Sequence, residues 1–161
     1  MDLQGNMQQE EDTQSGKYLT FCLGEEVFGI AISYVTEIVG MQPVTHMPEV
    51  PPYIRGIINL RGRIVPVMDM RTRFGLAEKE YTERTCIIVI DVNEAAAGLI
   101  VDGVAEVAVI GEENIEPLPG ATTAGSRRYI SGIGKNGEAV TLLLDCTKLF
   151  EENTDLKEKA S

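Results

Sequence analysis

Apolar residues in this chain come in short runs separated by turn-forming residues. The runs fall at 18–23, 27–32, 56–60, 64–68, 85–92, 97–101, 104–110, 129–134 and 139–144. Their length and their Val, Ile, Thr and Tyr content predict β-strands. Gly24-Glu25-Glu26, Arg61-Gly62, Asn93-Glu94, Asp102-Gly103 and Asn136-Gly137 read as hairpin turns between them. Helical signal is scarce. Asp69 and Asp145 each follow a strand and precede a short segment ending in Phe, which is where a carboxylate can cap the first turn of a helix. Segment 32–39 reads as a short helix or a bent strand. The pattern predicts a mainly β protein of many short strands with a few short helices, a barrel or sandwich.

An internal repeat organises these strands. Tyr53-Ile54-Arg55-Gly56-Ile57 matches Tyr129-Ile130-Ser131-Gly132-Ile133, and Asp69 and Phe74 match Asp145 and Phe150 at the same offset. Gly29, Val35 and Glu37 match Gly98, Val104 and Glu106 at a slightly shorter one. The spacing is too long for a solenoid. It predicts two copies of one small β unit, at 17–75 and 84–150, joined by the charged linker 77–83. Residues 1–16, polar and rich in Gln and Glu, read as a disordered acidic tail, and 151–161 as a charged C-terminal tail.

Composition narrows the function. The net charge is −11, from 14 basic and 25 acidic residues, and the body 17–150 is itself acidic. Such a body repels phosphate backbones, and without tryptophan the chain lacks stacking platforms, so nucleic acid is a poor partner. Cys22, Cys86 and Cys146 are odd in number, widely spaced and set in apolar runs, which predicts buried free thiols. The first residues lack the basic and apolar parts of a signal peptide, and cytoplasm is the expected location. His46 stands alone, without a nucleophile or orienting carboxylate in its motif, and no cysteine–histidine spacing suits zinc. The expectation is a protein without catalytic, cofactor or metal residues.

The repeat also sorts residues. Features in both copies are demanded by the fold; features in one copy are candidates for function. Arg55, Arg61, Arg63, Arg71 and Arg73 form a basic island whose counterparts are Ser131, Gly137, Ala139, Thr147 and Leu149. Solubility explains Arg71 and Arg73 as well as function does. Arg61, at a turn, is the favoured functional arginine, because its rigid fork of donors suits partner carboxylates. Segment 40–52, with four of the seven prolines, is either an irregular connection or an apolar docking edge.

The stretch Gly56-Ile57-Ile58-Asn59-Leu60-Arg61-Gly62-Arg63-Ile64-Val65-Pro66-Val67-Met68-Asp69 closely resembles the signature of the CheW family. Phe28-Gly29-Ile30, Val35-Thr36-Glu37-Ile38 and Gly98-Leu99-Ile100-Val101-Asp102-Gly103-Val104 resemble other segments of it, so that the resemblance spans nearly all of 17–150. It implies two SH3-like five-stranded β-barrels and a non-catalytic cytoplasmic adaptor recruited to membrane receptor arrays in bacterial chemotaxis. The implied partners are the regulatory domain of the histidine kinase CheA and the cytoplasmic tip of methyl-accepting chemoreceptors. Val35, Glu37 and Gly56 match positions tied to kinase coupling; Arg61, Gly98 and Val107 match positions tied to receptor or array contact. An alternative partition has the valines and Ile38 line a groove between barrels that receives a receptor helix. A CheW-like domain of a CheV or kinase chain is a rival within the family, and a nucleic-acid-binding small barrel is a rival outside it.

Overall fold

The run Cys86–Val92 is apolar at nearly every position, so as a strand it must be covered on both faces. In the computed structural model, which describes residues 15–119 and 125–149, it is. Ile88, Ile90 and Val92 point into one core, and Ile87 and Val89 into another. Eleven strands are described. They are β1 (Lys17–Leu23), β2 (Glu26–Ala31), β3 (Val35–Gly40), β4 (Ile54–Leu60), β5 (Arg63–Asp69), β6 (Cys86–Val92), β7 (Ala95–Val101), β8 (Gly103–Val109), β9 (Ile115–Glu116), β10 (Ile130–Asn136) and β11 (Ala139–Leu144). The ambiguous segment before β3 is a 3-10 turn, Ile32–Tyr34, running straight into that strand. Both predicted helix starts are real. Asp69 accepts from the backbone N–H of Arg71 and Thr72 ahead of the helix Met70–Arg73, and Asp145 accepts from Lys148 ahead of a helical turn at 146–149.

The fold is mainly β, in two sheets. One has five strands in the order β3-β6-β7-β5-β4; the other has six, β8-β1-β2-β11-β10-β9. The sixth strand is the two-residue β9, paired to β10 at Ile133 and Gly134. Its counterpart in the first sheet is the single bridge between Thr45 and Ile57. The largest core lies between the sheets, where Leu19, Phe21, Phe28 and Ile30 meet Met68, Ile88, Ile90 and Leu99.

The repeat is visible register for register. Val67 on β5 lies beside Gly98 on β7 in a parallel pair, and Leu143 on β11 lies beside Gly29 on β2 in the equivalent one. β1 pairs with β8 as β6 pairs with β3, each with a bulge at the same place. A threonine hydroxyl closes each bulge: Thr20 Oγ1 donates to Glu106 O at 2.8 Å, and Thr36 Oγ1 donates to Val89 O at 3.1 Å.

The structure corrects the expected division of the chain into a barrel at 17–75 and a barrel at 84–150. Each sheet draws strands from both repeats. The five-stranded sheet takes β3, β4 and β5 from the first and β6 and β7 from the second; the other takes β1 and β2 from the first and the remainder from the second. The reason lies in the crossovers. Asp102-Gly103 is not a hairpin turn, because β7 and β8 belong to different sheets. Asp102 pins that corner: its N–H donates to Cys22 O, and its carboxylate accepts from Gly24 N–H and from the Arg71 guanidinium at 2.8 Å. The tails expected at 1–16 and 151–161 lie outside the described residues, apart from 15 and 16.

The Arg71 hydrogen bonds hold the Asp102 carboxyl below its ordinary range. A depressed carboxylate stabilises the fold above its unfolded pKa, and that contribution fades as pH falls through the folded value. Asp102→Asn should therefore cost about 2 kcal/mol near neutrality. The gap between variant and parent in urea unfolding should close below about pH 4.

Candidate functional site

β4 and β5 are joined by the two-residue turn Arg61-Gly62, and both residues have positive φ, 54° and 86°. This mirror-image turn matches the twist of the flanking strands. Asn59 Oδ1 accepts from Gly62 N–H at 2.8 Å and closes it. A side chain in the left-handed region costs about 1 kcal/mol, which is why glycine is usual there. The second repeat has glycine at the equivalent position, Gly137. Arg61 thus stands where the fold prefers glycine.

Its guanidinium reaches Glu37 on β3 and forms an ion pair with it, which holds the Glu37 carboxyl below its usual range. β3 and β4 are opposite ends of the sheet order, so the sheet curls until its two edges are bridged by this pair. Next to Glu37, Ile38 is 44% exposed, and Arg63 and Ile64 on β5 are exposed as well. The result is an ordered arginine–glutamate pair bridging the sheet edges, with the exposed Ile38 on the opposite face of β3 from Glu37. On the other sheet, edge strand β8 exposes Val107 and Val109, at 51% and 68%. Val107 is the register counterpart of Ile38.

The remaining candidate residues sit elsewhere. Val35 is half-buried and packs on the central core, as does its counterpart Val104. Gly56 has φ 148°, and a Cβ there would lie 2.1 Å from the Thr45 carbonyl oxygen. Gly98 is buried in β7, where a Cβ would lie 2.7 Å from Ile87 Cγ2 and 2.9 Å from Val67 Cγ1. Gly56 and Gly98 are thus close-packed positions with no room for a side chain. Gly98→Ala should lower stability by about 2 kcal/mol through overpacking, read as a shifted denaturant midpoint with an unchanged slope. The structure thus pairs Glu37 with Arg61, puts Ile38 on the other face of β3, leaves Val107 on a second edge, packs Gly56 and Gly98 closely and half-buries Val35. It joins Glu37 to Arg61, which the resemblance assigns to different partners.

Most of the basic island is engaged internally. Arg55 donates to Asp69 at 2.9 and 3.0 Å and reaches Glu78. Arg71 clamps Asp102. Arg73 lies between two aromatic rings, 3.9 Å from the centre of Tyr53 and 4.4 Å from that of Tyr129, and donates to Leu149 O. Tyr53 and Tyr129 are repeat counterparts, so Arg73 sits where the two repeats meet. Sequence reasoning missed the exposed Ile64, Val109 and Val140. The signal for Val109 was its place in β8, two residues from Val107 on the alternating strand.

Cys146 is buried and its thiol is pushed up to about 12 by that burial, so it is inert at neutral pH. All three cysteines are free, and His46 is exposed on the loop flanking β4. No cluster of three metal-binding side chains occurs among the described residues. A cleft of ≈ 370 Å³ at the linker is lined by Cys22, Lys79, Thr82, Glu83, Arg84 and Asp102, a charged lining unlike an apolar cofactor pocket.

Residues 17–154 match the model of the CheW-like domain. The chain is 38% identical to the chemotaxis protein CheW of Klebsiella aerogenes over 139 residues, covering 86% of this chain and 84% of that one. It is 32% identical to the chemotaxis protein CheW of Bacillus subtilis over 138 residues, covering 86% and 88%. Among solved structures it resembles the scaffolding protein TtCheW from Thermoanaerobacter tengcongensis, with a TM-score of 0.74, 39% identity, and coverage of 81% of this chain and 88% of that one.

Proposed function

The chain belongs to the family of CheW-like domains, and from that premise we propose that it joins chemoreceptors to a histidine kinase while catalysing nothing itself. It is a non-catalytic chemotaxis scaffold. The kinase partner is the regulatory domain of CheA, and the receptor partner is the cytoplasmic tip of a methyl-accepting receptor. The protein acts in the cytoplasm and is recruited to receptor arrays. No helix among the described residues is long and apolar enough to cross a membrane, which accords with recruitment by protein contacts.

One observation carries this reading. Arg61 occupies a left-handed turn position that its repeat copy fills with glycine, is exposed, and is oriented by Glu37 across the sheet edges. A strained, oriented arginine on a rigid turn is pre-organised to meet a partner's carboxylate, which lowers the ordering cost of binding. Val107 and Val109 supply a second, apolar edge, so that one small body presents two surfaces. A scaffold of this kind shifts its kinase between states by holding it in a geometry, and needs no chemistry of its own.

Arg61→Glu tests the first surface. It should weaken binding to one of the two partners at least about tenfold, equivalent to 1.4 kcal/mol. The unfolding free energy should move by no more than about 1 kcal/mol, as for a surface change. Binding to both partners at parental affinity would remove Arg61 from the site.

A further inference from the structure

We infer that the two repeats can be exchanged between chains, so that a second copy of this protein is a partner to which its strands are already complementary. Every strand pair that joins the repeats has a repeat-related equivalent in the other sheet. β1 with β8 mirrors β6 with β3, and β2 with β11 mirrors β7 with β5. The repeats also share the central core, in which Leu19, Phe21 and Phe28 of the first meet Ile88, Ile90 and Leu99 of the second. Neither repeat completes a sheet without the other.

A single segment connects them. Residues 75–84 are exposed and lie in neither helix nor strand. Its first part is tied back to the first repeat: Leu76 N–H donates to Arg71 O, Arg71 donates to Ala77 O, and Arg55 pairs with Glu78. At its far end Thr82 N–H donates to Thr85 Oγ1. Tyr81 is hydrogen-bonded to Arg55 and Asp69 of the first repeat, so opening the linker releases these side-chain contacts and those at 76–78 and breaks no strand pairing of its own. An opened linker of ten residues reaches up to roughly 35 Å, enough to carry the second repeat onto the first repeat of a neighbour. Exchange preserves every register described above and changes only which chain supplies each strand. Within one chain the repeats meet at an effective concentration of order mM, so the closed monomer wins in dilute solution and the exchanged dimer gains as chains crowd.

Gly40 and Cys86 give a test in the full chain. They face each other across β3 and β6, one from each repeat, and a Cβ at Gly40 meets nothing within 4 Å. Facing residues on antiparallel strands are about 4.5–5.5 Å apart at Cα, within disulfide range. One chain carries Gly40→Cys and Cys86→Ser, and cannot form this bridge alone; the other is unmodified. The two are unfolded under reducing conditions, refolded together at low and high concentration, separated by size and oxidised. The expected result is a dimer fraction that grows with refolding concentration and yields a peptide linking position 40 of the variant to Cys86 of the unmodified chain. Absence of a dimer at every concentration overturns the inference. So does a dimer without the 40–86 bridge, which would be two whole monomers packed together. Receptor and kinase binding by the monomer is untouched by either result, so the scaffold reading stands or falls separately.

Discussion

Gly56→Val should prevent this protein from reaching its native state at ordinary temperature. A Cβ at Gly56 would sit 2.1 Å from the Thr45 carbonyl oxygen and 2.8 Å from its carbon, and both are backbone atoms that cannot swing aside. The residue also has φ 148°, a region that β-branched residues avoid. Relief would require breaking both hydrogen bonds between Thr45 and Ile57, at 2.8 and 2.9 Å, and detaching the loop from β4. The strain and lost bonds together amount to roughly 4 kcal/mol or more, a large part of a small domain's stability. Thermal unfolding and the soluble yield check this. A Gly56→Val protein melting within a few degrees of the parent would contradict it. Loss of coupling in any Gly56 variant would accordingly report folding before it reports a lost contact.

Arg73→Ala should be the most damaging of the arginine substitutions. The guanidinium lies over Tyr53 and Tyr129, and the site between them is largely closed to water. Desolvated cation–π contacts are each worth up to about 2 kcal/mol, and the hydrogen bond to Leu149 O is lost with them. A fall of about 3 kcal/mol is expected in urea unfolding. Arg73→Lys should restore less than half, because a compact ammonium cannot stack flat between two rings. Full rescue by lysine would show that charge alone is needed.

These two residues illustrate how much of the molecule could be read from its sequence. Strand positions followed from local alternation, and the helix starts followed from Asp69 and Asp145, because both signals lie within a few residues of the structure they cause. The need for glycine at 56 and 132 followed from the repeat. The structure adds the reason, a carbonyl from Thr45 or Glu116 pressed against each. Which strands pair was not legible. Hydrophobic period fixes the face of a strand but not its neighbour, so the repeats read as two successive barrels rather than two interleaved sheets. Asp102-Gly103 misled for the same reason. It has the composition of a hairpin turn, yet the strands it joins go to different sheets.

The arginines show the limit most clearly. Their absence from the second repeat correctly separated them from the shared fold. It did not mean they were free for partners. Arg71 meets Asp102 31 residues away, and Arg61 meets Glu37 24 residues away. No local pattern announces either pair. Only Arg61 combines exposure, backbone strain and an orienting carboxylate, which is why the functional proposal rests on it.

The most direct test of the scaffold reading is co-sedimentation of kinase with receptor-bearing membranes, with and without this protein. The kinase should pellet efficiently only when the protein is present, the protein should pellet with it, and Arg61→Glu should reduce the kinase pelleted by at least about tenfold. Kinase that pellets equally well in its absence would contradict a coupling role.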